Sequence, residues 1–349
     1  MSDAPVTLPT LLRESVLLEE GLVRILDRRV FPFEKQFVDC RTCEDVARAI
    51  EEMVTQSGGP FYAASAGMVL AAREAARHGD AERRLEIMRQ AGQRLVATRG
   101  TNNLIARAVA AMLAEAEARA VRDADFAAGM QQAMESLWEA NRARGRALGQ
   151  HGASVLEDGD VVLTHCWAEA TIIETLAAVL RAGRRVSVMC TETRPYLQGA
   201  RLTAHSVAEM GIDVTVITDN MGAHAMDRGL VSRFMTAADR VTLSGHVINK
   251  VGTLQLALAA RAFEIPYFAM VQAPDVRAQA PSDVPMEDRD PEESLHCLGV
   301  RTASPLVRGW YPAFDITPPG LVSGVVTSKG VFAAAALRPH FPAPAGPQA

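Results

Sequence analysis

The sequence predicts an α/β protein in which a mostly helical first half precedes a second half built on a mostly parallel sheet. Two observations support this prediction. From about Leu11 to Arg144, apolar residues recur every three or four positions among Ala, Arg and Glu, a pattern typical of amphipathic helices. After Gly149, short β-branched runs alternate with helical ones at the spacing of βαβ units. The change at Gly149 therefore indicates a boundary between two architectures.

Length and composition agree with two domains. The chain has 349 residues, of which 48% are hydrophobic and 22% charged, as in soluble globular proteins. We expect a helical domain over 1–149, a sheet-containing domain over 150–338, and a disordered tail over 339–349, where proline is frequent.

Five short runs in the second half are predicted strands, and polar or reactive residues follow each of them. The runs are Val161–Thr164, Val186–Met189, Val214–Thr218, Arg233–Thr236 and Tyr267–Val271. In an open parallel sheet, ligands bind beyond the carboxyl ends of the strands. We therefore expect the five strand ends to face one cleft.

Charge and sequence patterning exclude several classes of function. Lys and Arg number 36 against 41 Asp and Glu, so no overall positive field attracts nucleic acid. The first residues contain acids and proline where a signal peptide has a basic and then an apolar region, and no run reaches the roughly 18 apolar residues of a membrane span. Five scattered cysteines are typical of reduced thiols. We predict a cytoplasmic protein without membrane or nucleic-acid partners.

Cys166 is the first candidate for chemistry. It follows the predicted strand VVLT and precedes a predicted helix, whose N-terminal N–H groups lower the pKa of a nearby thiol. The alternative is a buried structural thiol, the usual fate of a free cysteine. His165 precedes it, but neighbouring residues of a strand point to opposite faces. We therefore expect the imidazole to pack or hydrogen-bond elsewhere.

Asp239 lies just past another predicted strand, beside Arg240. A carboxylate in this place is often only a helix N-cap. A thiol and a carboxylate that converge on one cleft, however, form a plausible proton-transfer pair. The two residues together therefore carry more weight than either one alone.

Two further segments offer polar groups to a ligand. In HVINKVGTLQLALAA, we expect Asn249 to cap a long helix and Lys250 to face the cleft, because lysine at a helix start opposes the helix dipole. The loop after Thr191 contains Gln198 among arginines and a tyrosine. These side chains either bind hydroxyl or phosphate oxygens or form a solvated turn.

The helical half contains two candidate anion sites. SGGPFYAASAG places Gly58 and Gly59 before a helical run, and TRGTNNLIAR places Arg99 before another. Both segments are predicted helix N-termini, where backbone N–H groups and the dipole favour anions.

Cofactor signatures are missing from the sequence. No G-x-G-x-x-G follows the first strand and no phosphate-binding P-loop occurs, so we expect no nucleotide cofactor. Cys40 and Cys43 form one C-x-x-C without a second, and the histidines show no metal-ligand spacing, so we expect no metal.

Five segments together resemble the methylthioribose-1-phosphate isomerase family, which is related to the regulatory subunits of the eukaryotic translation initiation factor guanine-exchange complex. In chain order they are ETRPYLQGARLTA, VTVITDNMGAHAM, AADRV, NKVGTLQLALAA and PAFDITPPGLVSGVVTSKGVF. The resemblance is dense from about Leu163 to Phe332. It implies a helical N-terminal domain, a Rossmann-like catalytic domain, and a homodimer that acts on a sugar phosphate without metal or other cofactor.

The resemblance also implies residue roles. The active-site cysteine of the family's T-H-C motif falls on Cys166, and the catalytic aspartate of its G-A-D-R motif falls on Asp239. The family's substrate contacts fall on Gln198, Asn249, Lys250 and, through an S-R-P-T motif, Arg99. We expect Arg99, Lys250 and N–H groups around Gly58 and Gly59 to bind phosphate.

The chain departs from the family pattern beside these residues. Where the family has R-G-A-P, the chain has Ser57-Gly58-Gly59-Pro60 and lacks the guanidinium. The other departures are Gly100 for a proline, Trp167 and Glu169 for Asn and Gly in H-C-N-A-G, and Gly245-His246 for G-D. The catalytic pair is retained, as expected if the chemistry persists while the substrate pocket changes.

The resemblance implies an aldose–ketose isomerase that converts a C5-modified ribose 1-phosphate, such as 5-methylthioribose or 5-deoxyribose 1-phosphate, to the ribulose 1-phosphate. Such a reaction belongs to methionine salvage. We expect Asp239 to open the ring and Cys166 to move hydrogen from C2 to C1 as a proton, with a direct hydride shift as the competing route. Two other hypotheses stay open: a regulatory protein that senses a sugar phosphate or nucleotide without turning it over, and an enzyme that uses Glu169 on another metabolite.

Overall fold

The computed structural model describes residues 6–99, 103–120, 125–286 and 288–342. The chain forms two compact units, one of Thr10–Ala143 and a larger one of Met1–Pro9 with Arg144–Ala349. The predicted boundary at 149/150 lies inside a long helix that continues from the smaller unit into the larger one. The change in composition at Gly149 therefore precedes the first parallel strand and does not coincide with the end of the smaller unit.

The smaller unit contains helices and one small sheet. In chain order its elements are α1 (Thr10–Arg13), β1 (Val16–Glu19), β2 (Leu22–Leu26), β3 (Phe37–Cys40), α2 (Cys43–Glu51), α3 (Gly59–Ala75), α4 (Ala81–Ala97), α5 (Asn103–Arg119) and α6 (Phe126–Ala153), the last of which extends into the larger unit. α3 is rich in Ala and Gly and buried along most of its length, so that α2, α4 and α5 pack closely against it. The helical character predicted for this half is found there.

The antiparallel sheet β1-β2-β3 was not predicted. Its strands are only four or five residues long. Leu and Arg residues in VLLEEGLVRIL also fit a helical pattern, which is why periodicity alone did not reveal the sheet. The turn depends on Gly21, whose φ of +74° is a left-handed conformation that glycine adopts without strain.

Side chains define the starts of two helices in this unit. At α2, the Thr42 hydroxyl accepts from the Asp45 N–H at 3.1 Å while the Asp45 carboxylate accepts from the Thr42 N–H at 2.9 Å, which is a capping box. At α4, the Asp80 carboxylate accepts from two backbone N–H groups. α3 differs, because its N-cap is Gly58 and no side chain caps it.

The larger unit is built on a seven-stranded sheet. In chain order its elements are β4 (Val161–Thr164), α7 (Glu169–Arg181), β5 (Ser187–Thr191), a π-helical turn (Gly199–Thr203), α8 (Ala204–Glu209), β6 (Val214–Ile217), α9 (Gly222–Asp227), β7 (Arg233–Ala237), β8 (Arg240–Val241), β9 (Val247–Lys250), α10 (Thr253–Ala262), β10 (Tyr267–Met270), β11 (His296–Cys297), β12 (Val300–Arg301), β13 (Phe314–Thr317), β14 (Gly324–Thr327) and β15 (Gly330–Phe332). All five predicted strands are present; Val161–Thr164 has the predicted ends, and the ends of the other four differ by at most two residues. The predicted α/β class is therefore confirmed.

The order of the large sheet is β15-β14-β10-β7-β4-β5-β6, and every pair is parallel except β14 with β15. The order reverses direction at β4, which has β5 on one side and β7 on the other. In parallel sheets this position forms a crevice beyond the carboxyl ends of the strands. The residues that follow β4, β5 and β7 are therefore the ones placed for a ligand.

A second, antiparallel sheet of order β13-β9-β8 corrects one prediction. Asn249 and Lys250 were expected to open a helix, but both lie in β9, and α10 begins only at Thr253. Gly252, with a φ of +105°, interrupts the chain between strand and helix. β9 is buried at all four positions, and its two apolar residues, Val247 and Ile248, continue the apolar spacing of the following helix, so the sequence pattern did not separate strand from helix.

Part of the segment predicted as a disordered tail is packed against the larger unit. Phe341 is buried, and its ring meets the Phe332 ring edge to face at 5.3 Å between centroids. Residues 343–349, the rest of that prediction, lie outside the described residues. Across the described part of the chain, no helix is long and apolar enough to cross a membrane.

Candidate active site

The structure brings Cys166, Asp239 and Lys250 of the larger unit within electrostatic range of one another. Cys166 follows β4 and Asp239 follows β7, which are neighbouring parallel strands, while Lys250 ends β9. The positive charge of Lys250 and the negative charge of Asp239 both act on the Cys166 thiol. The expected convergence of these three predicted residues is therefore found in the structure.

Two threonine hydroxyls hold the backbone of Cys166 in a bend. Its φ is +68°, a left-handed value that is uncommon for a residue with a side chain. The Cys166 N–H donates to Thr193 Oγ1 at 2.9 Å, and its carbonyl accepts from Thr203 Oγ1 at 2.6 Å. These bonds fix the direction of the thiol, which is half-buried.

The pKa of the Cys166 thiol is raised, not lowered. Burial raises it to about 11, and the Lys250 ammonium and the Trp167 N–H offset only part of that rise. The prediction that the start of α7 would lower this pKa is wrong, because the loss of hydration on burial is the larger effect. Cys166 is therefore a neutral thiol near pH 7.

His165 points away from the thiol, as predicted. Its Nε2–H donates to the Val251 carbonyl at 2.9 Å, and its Nδ1 accepts from the Thr191 hydroxyl at 2.6 Å. Since a carbonyl can only accept, Nε2 carries a proton, and in the neutral imidazole Nδ1 is then the acceptor. Burial lowers the pKa of His165, which favours the same neutral form. The imidazole thus links the end of β4 to the turn after β9 and is not a base for Cys166.

Two aromatic rings lie next to the Lys250 ammonium. Its side chain is 5% exposed, and Nζ donates to the Tyr311 hydroxyl at 3.2 Å. Nζ also lies 5.2 Å from the ring centroid of Tyr311 and 5.3 Å from that of Phe314, distances typical of cation–π contacts. The ammonium is therefore held in one place near the thiol.

Asn249 is buried beside the start of α10 but does not cap it. Its Nδ2 donates to Thr253 Oγ1 at 3.0 Å. The cap comes from Asp315 on β13, which faces Asn249 in the strand register. Asp315 Oδ2 accepts from the N–H groups of Gly252 at 2.7 Å and Leu254 at 3.1 Å. The predicted capping role of Asn249 is therefore wrong, and Asp315 performs it.

The turn at Gly252 is enclosed on both sides. A Cβ at Gly252 would lie 3.0 Å from His165 Nε2, so the imidazole approaches the backbone closely on one side. Asp315 is on the other side, where burial raises its pKa to about 6 even though two N–H groups and Lys250 favour the anion. No spacing in the sequence indicates Asp315. An acid within the strand-forming run FDIT was its only signal.

Gln198 lies in a loop that is anchored by the half-buried carboxylate of Asp219. The two oxygens of Asp219 accept from the N–H groups of Thr193 and Arg194, each at 2.7 Å. Gln198 is 5% exposed, and its Oε1 is buried without a hydrogen-bond partner in the described ranges. A carbonyl oxygen in this condition is suited to accept from a ligand hydroxyl.

Arg289 is a further cation near the thiol that the sequence did not indicate. Its charge lowers the pKa of Cys166, and its N–H donates to the Tyr311 carbonyl at 2.9 Å. It follows β10 by a long connection without regular spacing, so only the tertiary structure brings it to Cys166.

Three residues that depart from the family pattern, Trp167, Glu169 and His246, have defined environments in the structure. Trp167 is 4% exposed, and its indole Nε1 is buried without a hydrogen-bond partner in the part of the chain that the structure describes. Glu169 is the first residue of α7, where an acid is favoured by the helix dipole. His246 Nδ1 lies 2.9 Å from the Ser244 hydroxyl.

Three predicted site residues, Gly58, Gly59 and Arg99, belong to the smaller unit. Gly58 is the N-cap of α3 and Gly59 its first residue. The Gly59 N–H donates to the Gln56 carbonyl at 3.0 Å, so this amide is used within the turn. Arg99 is half-buried and follows the end of α4. Gly100, another departure from the family, lies outside the described residues.

Metal ligands are not grouped in the described ranges. Within 6–99, 103–120, 125–286 and 288–342, no three His, Cys, Asp or Glu side chains are placed to hold a metal ion. Cys40 and Cys43 are thiols whose pKa values burial raises, to about 11 and about 12.

The chain is similar in sequence and in structure to known proteins. The pattern of the Initiation factor 2 subunit family matches residues 58–334. The methylthioribose-1-phosphate isomerase of Thermotoga neapolitana is 38% identical over 334 residues, which cover 91% of this chain and 93% of that protein. Among solved structures, 5-methylthioribose 1-phosphate isomerase from Pyrococcus horikoshii is similar with a TM-score of 0.86 and 30% identity, covering 95% of this chain and 96% of that one. The delta subunit of translation initiation factor eIF-2B from A. fulgidus gives a TM-score of 0.81 and 30% identity, over 93% and 96%.

Proposed function

The chain belongs to the Initiation factor 2 subunit family, and we propose that it acts as the methylthioribose-1-phosphate isomerases of that family do. The class of reaction is aldose–ketose isomerisation of a sugar 1-phosphate. The observation that carries the proposal is the retained pair Cys166 and Asp239, placed after neighbouring parallel strands with Lys250 beside them. A regulatory relative without catalysis has no need for this arrangement.

The first step of the proposed reaction is opening of the furanose ring by an acid. Phosphate on C1 blocks the anomeric carbon, so no aldehyde forms until the furanose ring opens. Asp239 is exposed beyond β7, where it can protonate the ring oxygen of a bound sugar. In the proposed sequence, Asp239 donates that proton and the C1–O bond of the ring breaks.

Hydrogen must then move from C2 to C1. Because the thiol is neutral at rest, it first loses its proton to water, and the Lys250 ammonium stabilises the thiolate. In the proton route, the Cys166 thiolate takes the C2 proton and returns it to C1 through an enediol-like intermediate. The Asp239 carboxylate, formed when Asp239 protonates the ring oxygen, takes the proton of the C2 hydroxyl as C2 becomes the ketone. In the competing hydride route, Cys166 stays neutral and helps exclude water. Solvent deuterium at C1 of the product supports the proton route, and its complete absence supports the hydride route.

The substrate contacts are proposed on each unit separately. In the larger unit, Gln198 and Asn249 offer groups to sugar hydroxyls, and Lys250 offers charge to the phosphate. In the smaller unit, Arg99 and the start of α3 are the proposed phosphate determinants. Replacing Arg99 with Ala is expected to weaken substrate binding by about 1.5–3 kcal/mol, the range of a charge-assisted hydrogen bond. An unchanged KM in this variant would remove Arg99 from the proposal.

The finer assignments are parts of the same proposal. We propose a C5-modified ribose 1-phosphate as substrate, carrying methylthio or hydrogen at C5, a place in methionine salvage, and a cytoplasmic homodimer. The similarity to methylthioribose-1-phosphate isomerases supports the methylthio sugar. Trp167 and Glu169, which replace smaller residues beside Cys166, support a pocket that differs in detail.

Phosphorus NMR of the protein with a panel of 5-substituted ribose 1-phosphates tests the proposal. We expect the anomeric phosphate resonance to be replaced by that of a primary phosphate ester, fastest for the preferred C5 group. Cys166→Ser and Asp239→Asn are the controls and are expected to abolish the change. If a folded wild-type protein converts no member of the panel, the isomerase proposal fails and a sensing role like that of the initiation-factor relatives replaces it.

A further inference from the structure

A buried arginine lies where the family pattern loses one. Ser57 stands at the place of the arginine in R-G-A-P, so the loop before α3 has no guanidinium of its own. Arg28, two residues after β2, is fully buried against this loop. Its Nη1 donates to the Gln56 carbonyl at 2.6 Å, and its Nη2 donates to the Ser15 hydroxyl at 2.7 Å. The charge is thus fixed beside the loop and not on it.

The guanidinium faces the first residue of α3. A Cβ at Gly59 would lie 2.9 Å from Arg28 Nη2 and 3.2 Å from its Cζ, closer than a side chain tolerates. Glycine at this position therefore lets the charge approach the helix start. α3 has seventeen residues, and the positive end of its dipole lies at the same point.

Two further polar groups at this point have no hydrogen-bond partner among the described residues. Thr55 is fully buried, and its Oγ1 would lie 2.0 Å from a Cβ at Gly59, so the hydroxyl is directed at the helix start. Neither Thr55 Oγ1 nor Gln56 Nε2 has a hydrogen-bond partner among the residues that the structure describes. Buried donors without partners are costly, which is expected where a ligand supplies the acceptor.

We infer that Arg28 supplies the positive charge that Ser57 does not, and that with Thr55 and Gln56 it forms an anion site at the start of α3 for the substrate's phosphate. The identity of the anion rests on the proposed function. Arg28 is a positioning residue, because it holds the turn through the Gln56 carbonyl and acts on the phosphate through its charge. Thr55 and Gln56 provide donors for phosphate oxygens.

Titration of the wild-type protein and its variants with inorganic phosphate, by calorimetry, tests this inference without requiring turnover. Arg28→Gln is expected to weaken phosphate binding about tenfold, the effect of one close charge at a partly desolvated site. Adding Ser57→Arg to Arg28→Gln is expected to restore binding to within about threefold, because the charge returns to the loop. A role of Arg28 in packing alone predicts no such rescue.

Arg84→Gln is the matched control. Arg84 also donates to two backbone carbonyls, those of His78 at 2.7 Å and Ala120 at 3.3 Å, but it does so beyond the other end of α3. This variant is expected to bind phosphate as the wild type does. If it weakens phosphate binding as much as Arg28→Gln does, the effect comes from helix stability and the inference is overturned.

Thr55→Val keeps the test decisive if Arg28→Gln does not fold. The substitution removes only a hydroxyl that bonds to nothing else in the described residues, so we expect normal thermal stability and phosphate binding weakened severalfold. Wild-type phosphate affinity in folded Arg28→Gln, or in Thr55→Val, overturns the inference. If the variants bind phosphate more weakly but the wild-type protein turns over no sugar phosphate, the anion site stands and the isomerase proposal fails. If the wild-type protein is an isomerase but the variants bind phosphate normally, the isomerase proposal stands and the anion site fails.

Discussion

The pH dependence of Cys166 alkylation is the sharpest consequence of the site's electrostatics. Only the thiolate reacts with iodoacetamide, and burial raises the pKa of Cys166 from 9.0 to about 11. At pH 8 the thiolate fraction is then about 0.1%, roughly a hundredfold below that of an unperturbed thiol. We expect the rate to rise about tenfold per pH unit up to pH 9.5 with no plateau.

The measurement follows the peptide that contains Cys166 by mass spectrometry, because Cys297 is also half-buried and is expected to be alkylated as well. Lys250→Met is expected to lower the rate further, since the Lys250 ammonium is the largest influence that favours the thiolate. Lys329→Met is the matched control, because Lys329 also lies over an aromatic ring, 5.2 Å from the centroid of Phe341. A plateau at or below pH 9 in the wild-type protein would refute the argument that burial dominates.

Two further predictions concern the turn between β9 and α10. Burial raises the Asp315 pKa from 3.8 to about 6, so its contribution to stability is complete below pH 3.8 and is lost, by up to about 3 kcal/mol, as the pH rises through 6. Asp315→Asn should abolish this loss in urea unfolding from pH 4 to 6.5, with the exposed cap variant Asp80→Asn as control. An unchanged pH slope would contradict it. Gly252→Ala should destabilise the protein by more than about 2 kcal/mol, because it combines a left-handed backbone with contact against His165. Gly159→Ala has the same backbone problem in open space, so an equal loss there would show that His165 does not matter.

Much of the larger unit was predictable because its signals are local. Each of the five predicted strands is a short run of apolar or β-branched residues followed by polar ones, and the position of Cys166 after β4 and of Asp239 after β7 follows directly from that pattern. The error at Lys250 also has a local cause. Val247, Ile248 and Val251 keep the three-and-four spacing of the apolar residues of α10, and Gly252 was too weak a signal to separate the strand from the helix.

The remaining site residues could not be predicted, because distant parts of the chain create their environment. Asp315 reaches the start of α10 from a strand that pairs with β9 much later in the chain. Arg28 is an ordinary arginine in the sequence, and only its burial against the loop before α3 gives it a role. The raised pKa of Cys166 has the same origin, since periodicity shows where a thiol lies along the chain but not how much water surrounds it.

A thiol with a pKa of about 11 is compatible with the proton route. Forming the thiolate at pH 7.5 costs about 5 kcal/mol, whereas a turnover of about ten per second corresponds to a barrier near 16 kcal/mol. The cost therefore fits within the barrier, and part of it is offset because a thiolate of higher pKa is a stronger base toward the C2 proton. Lys250 is required in that route, since it stabilises the charge that must form. In the hydride route no charge forms on sulfur, so Cys166→Ala would retain substantial turnover and Lys250 would matter only for binding. The effect of Lys250→Met on kcat, separated from its effect on KM, thus distinguishes the two routes along with the deuterium test.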